Sequence, residues 1–512
     1  MILSDLLDKN IETFAEYPFI YFKDKKYSNL DIKNYSNKIA HGLKKLGVAK
    51  GDRVVVCMPN CPEVIFSYQG IIRAGAIIVP IMFTLHDKEI HYIIKDCQAK
   101  VVITSSLSLE KVESALDNLE QKPVVLVVDQ PTDENIFHLY DTDITENELY
   151  VESDLKLNAE DTAVILYTSG TTGKPKGVML THKNLYSNAE NTFLHNETKR
   201  GVTLGILPLA HVYGLTISNT CFLTGSSAVV FNHFDPKAVF EAIEKYKVTN
   251  FSAVPAMIFA LLSYPHSNKF QLGSLEWVAS GSAPLPVALL HAFKQKFGAD
   301  ILEGYGLSEA APVVAAHQRD SVIKPGSVGI PIPGVEVKIV NNDESELATG
   351  QVGELIVRGD NITPGYYQNE IETKQVLKGS WLYTGDMAYM DTDGYLFIVD
   401  RKKDLIIRGG FNIYPRDVEE LLAKHEAVAE SSVVGIPNDQ MGEEVVAYVV
   451  KKDKQAITEE ELIQYCQSHL SKNKTPRKII FIDQLPRNGV GKILKTHLRK
   501  LAENIKLSPL KE

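Results

Sequence analysis

Tyr167-Thr168-Ser169-Gly170-Thr171-Thr172-Gly173-Lys174-Pro175-Lys176-Gly177 follows directly on the apolar run from Ala163 to Leu166. That run is short and bounded by polar residues, so it predicts a buried strand. The loop after it offers backbone N–H groups, hydroxyls and lysines to a polyanion. Its glycines permit positive φ and close approach to phosphate with no Cβ in the way. The spacing is not that of a Walker A loop, which needs four residues between its glycines and a Gly-Lys-Ser/Thr that opens a helix. Here two residues separate Gly170 from Gly173, and Pro175 follows Lys174. A solvated Ser/Thr/Gly linker would share this composition; the ordered tail from Lys174 to Val178 sets the segment apart.

A chain of 512 residues exceeds a single core, so two or more domains are expected. Apolar residues at 44% and charged residues at 23% are ordinary for globular proteins. A net charge of −10 argues against general nucleic-acid binding. Cys57, Cys61, Cys97, Cys221 and Cys466 are scattered and odd in number, with no second pair or histidine at zinc spacing. They read as reduced and structural, in a cytoplasmic setting. The N-terminus carries no basic segment followed by an apolar core, so no signal peptide is expected. The most apolar long segment, 70–83, is interrupted by Arg73 and too short to span a bilayer. No transmembrane helix is expected, while peripheral membrane contact stays open.

The first part of the chain alternates helical and strand patterns. Ile39, Leu43 and Leu46 share one helical face with Gly47 just beyond as a stop, and Arg53 to Met58 reads as a strand. Asp235-Pro236 opens a helix that turns Val239, Phe240 and Ile243 inward, before a strand at Phe251 to Val254. Such alternation predicts parallel-type sheets with helices packed on their faces. From about 327 to 400, short strands between Gly, Pro, Asn and Asp clusters predict a β-rich subdomain. After Asp400 a separate pattern begins: a helix from Pro415 with Val418, Leu421 and Leu422, and a capping box at Thr458 and Glu461. The expected class is α/β, with a large domain over 1–400 and a small mobile α+β domain over 401–512.

Further segments carry chemistry. Glu303-Gly304-Tyr305-Gly306-Leu307-Ser308-Glu309 combines permissive glycines, a flat aromatic face for a base, and a hard oxygen ligand suited to Mg²⁺. Ser280-Gly281-Ser282-Ala283-Pro284 follows the apolar run from Leu275 to Ala279, and its small residues leave a channel open. Tyr383-Thr384-Gly385-Asp386 puts a carboxylate after a glycine turn, able to accept both hydrogen bonds of a ribose diol. Asp400-Arg401-Lys402-Lys403-Asp404, Arg408-Gly409-Gly410-Phe411 and Pro486-Arg487-Asn488-Gly489-Val490-Gly491-Lys492-Ile493 complete the set. Each alone has a bland reading as a turn or a charged surface run.

Collinear from Tyr167 to Ile493, these segments resemble the acyl-adenylate-forming superfamily of acyl-CoA synthetases, luciferases and peptide-synthetase adenylation domains. Glu354-Leu-Ile-Val-Arg-Gly and Gly365-Tyr-Tyr-Gln-Asn are similar to bacterial fatty acid–CoA ligases. The resemblance implies that Thr168, Ser169, Gly170, Thr171, Thr172, Gly173 and Lys174 cradle the ATP phosphates. It implies that Gly281, Ser282 and Ala283 border the adenine and the acyl group, and that Glu303, Gly304, Tyr305, Gly306 and Ser308 hold the nucleotide. Glu309, with Thr168, would hold Mg²⁺; Asp386 and Arg401 would contact the ribose. Lys403 matches the hinge position, Gly409 and Gly410 the thiol-substrate tunnel, and Lys492 the catalytic lysine.

His211, counted here with Lys492 as catalytic, also opens the expected acyl pocket of His211, Val212, Tyr213, Gly214, Val254 and Met257. Amino-acid-activating relatives carry an aspartate at the His211 position, which neutralises the substrate amine. A histidine supplies no such fixed charge, so an acid without an α-amino group is expected. The implied activity is ATP-dependent formation of acyl-AMP from a medium- or long-chain fatty acid, followed by transfer to coenzyme A. Alternatives are a fatty acyl-AMP ligase that loads an acyl carrier protein and a coenzyme A ligase for an aryl or small acid. A light-emitting oxygenase and a non-catalytic nucleotide-binding protein are the remaining readings.

Overall fold

The computed structural model describes residues 1–129, 137–138, 155–169, 175–438, 440–452, 457–487 and 493–502. The chain divides into two compact units, Met1–Glu336 with Val357–Leu382, and Val337–Ile356 with Tyr383–Glu512. The boundaries fall inside the strands Val335–Val340, Gly353–Gly359 and Trp381–Met390, within the strand-rich stretch expected from its turn-punctuated composition.

Among the described residues, the first unit holds two large sheets of eight and nine strands. In the eight-stranded sheet, Arg53–Cys57 pairs in parallel with Ile77–Ile81 on one side and Val101–Thr104 on the other. Val54, Val55, Ile78, Val102 and Ile103 are all buried. Continuous apolar runs are what a parallel strand needs when helices cover both of its faces. The nine-stranded sheet is parallel through Val202–Gly205, Asn250–Ala253, Trp277–Ser280 and Asp300–Gly306.

Local chemistry places the helices. Asn29–Lys45 starts at a capping box of Ser28 and Asp31, buries Ile39 and Leu43, and ends before Gly47 at φ +76°. Pro236–Tyr246 is capped by Asp235, whose carboxylate accepts from the Ala238 N–H at 2.8 Å. A cap of this kind contributes about 1 kcal/mol. The buried faces carry Val239, Phe240 and Ile243, as their spacing predicts.

The second unit has a sheet in the order Phe411–Ile413, Ile406–Arg408, Gly442–Lys451, Val428–Asn438, with Lys478–Phe481 parallel to Gly442–Lys451. Helices Pro415–Leu422 and Glu459–His469 bury Val418, Leu422, Leu462 and Cys466 in one core. The helix Lys495–Ala502 buries Leu498 and Ala502 beside Tyr448, whose hydroxyl donates to the Leu498 carbonyl at 2.9 Å. The Thr458–Glu461 capping box forms as expected. All five cysteines are free thiols. Among the described residues, no helix is long and apolar enough to cross a membrane.

Candidate active site

The strand Thr162–Ser169 returns antiparallel as Pro175–Thr181, with Thr168 opposite Lys176 and Ser169 opposite Pro175. The glycine-rich segment is therefore the connection of a β-hairpin. A Walker A loop leads into a helix, and this one leads into a strand. Gly170, Thr171, Thr172, Gly173 and Lys174 lie outside the described residues, as do Lys492 and the neighbouring 488–491. At the root of the hairpin, a Cβ on Gly177 would lie 2.7 Å from Ile165 Cγ2 and 3.2 Å from Tyr167 Cζ. Gly177 is thus required by packing.

Glu309 sits in the 3₁₀ turn Ser308–Ala310, directly after the strand Asp300–Gly306. Its Oε1 accepts from the Tyr366 hydroxyl at 2.9 Å, and its carbonyl accepts from the Thr363 N–H at 2.8 Å. The buried amide of Asn361 donates to the Ala310 carbonyl at 2.8 Å, and that of Asn188 donates to the Val313 carbonyl at 2.8 Å. Tyr366 belongs to the short strand Gly365–Tyr366, which pairs with Pro175–Thr181. The Lys176 ammonium lies 5.6 Å from the Tyr366 ring centroid and forms an ion pair with Glu372. Thr168, Lys176, Tyr366 and Glu309 thus form one chain of neighbours, which brings the two expected metal ligands into one region.

Burial pushes the Tyr366 phenol up, and the Glu309 charge adds to that, so the hydroxyl keeps its proton and donates. Burial lowers the Lys176 ammonium, with the Glu309 charge opposing it. The roles of Tyr366, Lys176, Asn188 and Asn361 were not assigned from sequence. Their only local signal was the polar residues around Gly365.

The second segment expected to meet the nucleotide lies at the end of two parallel strands, where Ser280 stands opposite Glu303. A Cβ on Gly281 would touch the Gly304 carbonyl at 3.4 Å, and one on Gly306 would collide with the Pro312 carbonyl at 2.2 Å. The chain itself thus demands glycine at 306. Ser282 adopts φ +69°, a left-handed conformation uncommon for serine. Tyr305 stands opposite Ala315 on the hairpin that follows, and Glu303 is buried with its carbonyl accepting from the His317 N–H at 2.9 Å. Ala283 lies three residues past the strand Trp277–Ser280, and Gly304 lies within the strand Asp300–Gly306.

His211 is the N-cap of the helix Val212–Thr224, its Nδ1 accepting from the Tyr213 N–H at 3.2 Å. Two of the expected pocket residues pack closely against their own neighbours. Val212 is 1% exposed and packs in a core with Leu209 and Leu215. A Cβ on Gly214 would lie 2.3 Å from the Pro208 carbonyl, so that glycine serves close packing. Tyr213, Val254 and Met257 keep partial exposure.

In the second unit, Asp386 is 4% exposed and stands opposite Arg401 in an antiparallel ribbon, with the Arg401 Nε 3.2 Å from its carboxylate. The two expected ribose contacts are therefore adjacent. Lys403 lies in the 3₁₀ turn Lys402–Asp404, and burial lowers its ammonium. Asp404 pairs with Arg499 at 2.6 Å, and Lys495 pairs with Glu419 at 2.9 Å. A bridge joins Arg487 and Ile493, and the Leu494 N–H donates to the Pro486 carbonyl at 2.8 Å. Gly409 and Gly410 form a two-residue hairpin turn, with φ of +58° and +83°.

The paired strands flanking the glycine-rich segment and the Glu309–Tyr366 contact in the first unit, and the Asp386–Arg401 pair in the second, carry the residues expected of an adenylate-forming enzyme. The sequence profile described as AMP-binding enzyme matches residues 7–367, and the one described as AMP-binding enzyme C-terminal domain matches 417–492. The chain belongs to the AMP-binding enzyme family. It is 38% identical to a long-chain-fatty-acid–CoA ligase of Bacillus subtilis, over 97% of this chain and 94% of that protein. Identity to the long-chain-fatty-acid–CoA ligase of Escherichia coli O157:H7 is 34%, over 97% and 94%. The ATP-bound structure of MatB from Rhodopseudomonas palustris is similar at a TM-score of 0.89 and 29% identity, covering 98% of this chain and 99% of that one.

Proposed function

We propose that this chain is an AMP-forming acid–thiol ligase that activates a medium- or long-chain fatty acid with ATP and passes the acyl group to coenzyme A. The observation that carries this reading is Glu309, held by Tyr366 beside the glycine-rich hairpin, in a chain similar along nearly its whole length to fatty acid ligases.

In the first half-reaction a carboxylate oxygen attacks the α-phosphorus of ATP, and pyrophosphate leaves. No general base is needed, because the acid is already ionised at neutral pH. Negative charge grows on the phosphates, and donors from residues 168–174 together with Lys492 would stabilise it. Among the described residues, no group of three or more His, Cys, Asp or Glu could hold a metal ion. One carboxylate and one hydroxyl fit Mg²⁺ carried chiefly by nucleotide phosphates and water. Glu309 and Thr168 would hold it, and when bound it supplies charge neutralisation at the phosphates.

In the second half-reaction the coenzyme A thiol loses its proton, and its sulfur attacks the acyl carbonyl of acyl-AMP. AMP leaves with the bonding pair, and a thioester results. The mixed anhydride is needed because a free carboxylate is a poor electrophile toward thiols. Asp386 and Arg401 would orient the ribose, and the small domain over 401–512 would turn about Lys403 between the steps. His211 caps its helix and supplies no fixed negative charge, which suits an acid without an α-amino group. The free cysteines suit a cytoplasmic location.

The test is half-reaction kinetics on the purified protein. Fatty-acid-dependent exchange of pyrophosphate into ATP, and acyl-CoA formation from supplied acyl-AMP, are both expected. An acyl-AMP that forms but is indifferent to coenzyme A would assign the acceptor to an acyl carrier protein.

A further inference from the structure

We infer that Arg408, together with Glu444, positions the Gly409–Gly410 hairpin for the thiol half-reaction. The inference rests on the reading of that hairpin as part of the thiol path.

The strands Ile406–Arg408 and Phe411–Ile413 pair antiparallel with Arg408 opposite Phe411. Both central residues of the turn have positive φ, the geometry of a type I′ hairpin and the reason for two consecutive glycines. The Gly409 N–H donates to the Met441 carbonyl at 2.7 Å. A Cβ on Gly410 would meet nothing within 4 Å, so one side of the tip is open. Ile407 and Phe411 are exposed. Ile406 and Ile413 anchor the far ends of the two strands in the core, while the tip itself buries little apolar surface.

Beside the tip, Arg408 adds a side-chain anchor and is 7% exposed. Its Nε lies 2.8 Å from an oxygen of Glu444, itself 2% exposed. The approach is not aligned along the N–H, so the contact is ionic more than a directed hydrogen bond. Nη1 donates to the carbonyls of Lys472, Asn473 and Thr475 at 3.2, 2.9 and 3.3 Å. One planar guanidinium therefore ties the hairpin to the strand Gly442–Lys451 and to the turn after the helix Glu459–His469. Replacing a buried ion pair by apolar residues of similar volume is often neutral or stabilising. Stability alone does not account for a charge pair here; fixing the register of an open tip does. The rigid fork of arginine, not the point charge of lysine, reaches several carbonyls at once.

The test uses the double variant Arg408→Leu/Glu444→Leu, which removes both charges and strands neither in the core. Thermal unfolding reports the fold. Pyrophosphate exchange and thioester formation from supplied acyl-AMP are measured separately, with KM and kcat for coenzyme A. Thioester formation should fall about 10²-fold while exchange stays within about 3-fold, as expected for misplacement of a positioning element. Arg408→Lys, which keeps the charge and loses the fork, should recover part of the rate and serves if the double variant fails to fold. Unchanged thioester formation in a folded variant, or equal loss of both half-reactions, overturns the inference. Gly409→Asn separates the two levels, because asparagine tolerates this turn geometry. If Gly409→Asn leaves thioester formation intact, the thiol-path reading fails and the inference falls with it. If it blocks thioester formation while the Arg408 variants do not, the positioning role alone falls.

Discussion

The turns Ser308–Ala310 and Lys402–Asp404 are both short 3₁₀ segments bearing a charged residue assigned to the reaction, yet they are held in opposite ways. Around Glu309 the partners are neutral: a tyrosine hydroxyl, two buried asparagine amides and a backbone N–H. Around Lys403 they are ions: Arg401 with Asp386, Lys402 with Glu354, and Asp404 with Arg499. Directed hydrogen bonds from neutral donors are costly to leave unmade once buried and hold one geometry. Ion pairs that reach the surface are weak and exchange with water and salt. The proposed metal-binding role of Glu309 suits the first construction, and the proposed hinge role of Lys403 suits the second.

The largest effect that would sharpen this contrast is at the loop between Pro486 and Ile493. Lys492→Ala should lower adenylation by roughly 10²–10³-fold, as for loss of one charge-stabilising donor. Thioester formation from supplied acyl-AMP should survive largely intact; equal loss in both half-reactions would break the division of labour. Next is Tyr366→Phe, which deletes the hydrogen bond to Glu309 alone. Loss of a hydrogen bond to a charged group predicts about a 10-fold drop in adenylation, and titration of the free protein with MgATP should show weaker binding. Unaltered MgATP affinity would mean that Glu309 needs no such support.

The smallest effects concern acid. Burial in the first unit lowers His182 to about 4 and lowers His195 and His317. Each takes a proton more readily when unfolded, so stability is full above the ordinary value of 6.5 and lost as pH falls toward the folded value. For His182 the loss is roughly 3 kcal/mol between pH 6.5 and 4. In the second unit burial works to raise the Asp404 carboxyl, but Arg499 and Lys495 prevail and hold it below 3.8. Its stabilisation is present above that value and lost only as pH falls through the folded pKa. Denaturant melts across this range should show the first unit weakening first, and His182→Gln should flatten the slope between 6.5 and 4. A slope that persists unchanged would assign it to other groups.

Much of the local architecture was legible because it depends on neighbours in sequence. Asp235 caps a helix three residues on, Thr458 and Glu461 close a box within one turn, and Gly47 ends a helix on its own φ. The apolar run from Ala163 to Leu166 could only be a buried strand. The supports of the site were not legible, because they join distant positions. Tyr366 reaches Glu309 across 57 residues, Asn188 reaches Val313 across 125, and Arg408 reaches Thr475 across 67. Nothing in spacing marks such partners. The close packing of Val212 with Leu209, and of Gly214 against the Pro208 carbonyl, likewise has no mark in the local spacing. At Gly306 the glycine was visible, but its cause, the Pro312 carbonyl, was not.

The most direct measurement is product analysis with ATP, Mg²⁺ and acids from acetate to oleate, each with and without coenzyme A. The account predicts AMP, pyrophosphate and acyl-CoA from medium- or long-chain fatty acids, and acyl-AMP alone when coenzyme A is withheld. Failure of every fatty acid to drive AMP formation while an aryl or short acid succeeds would contradict it.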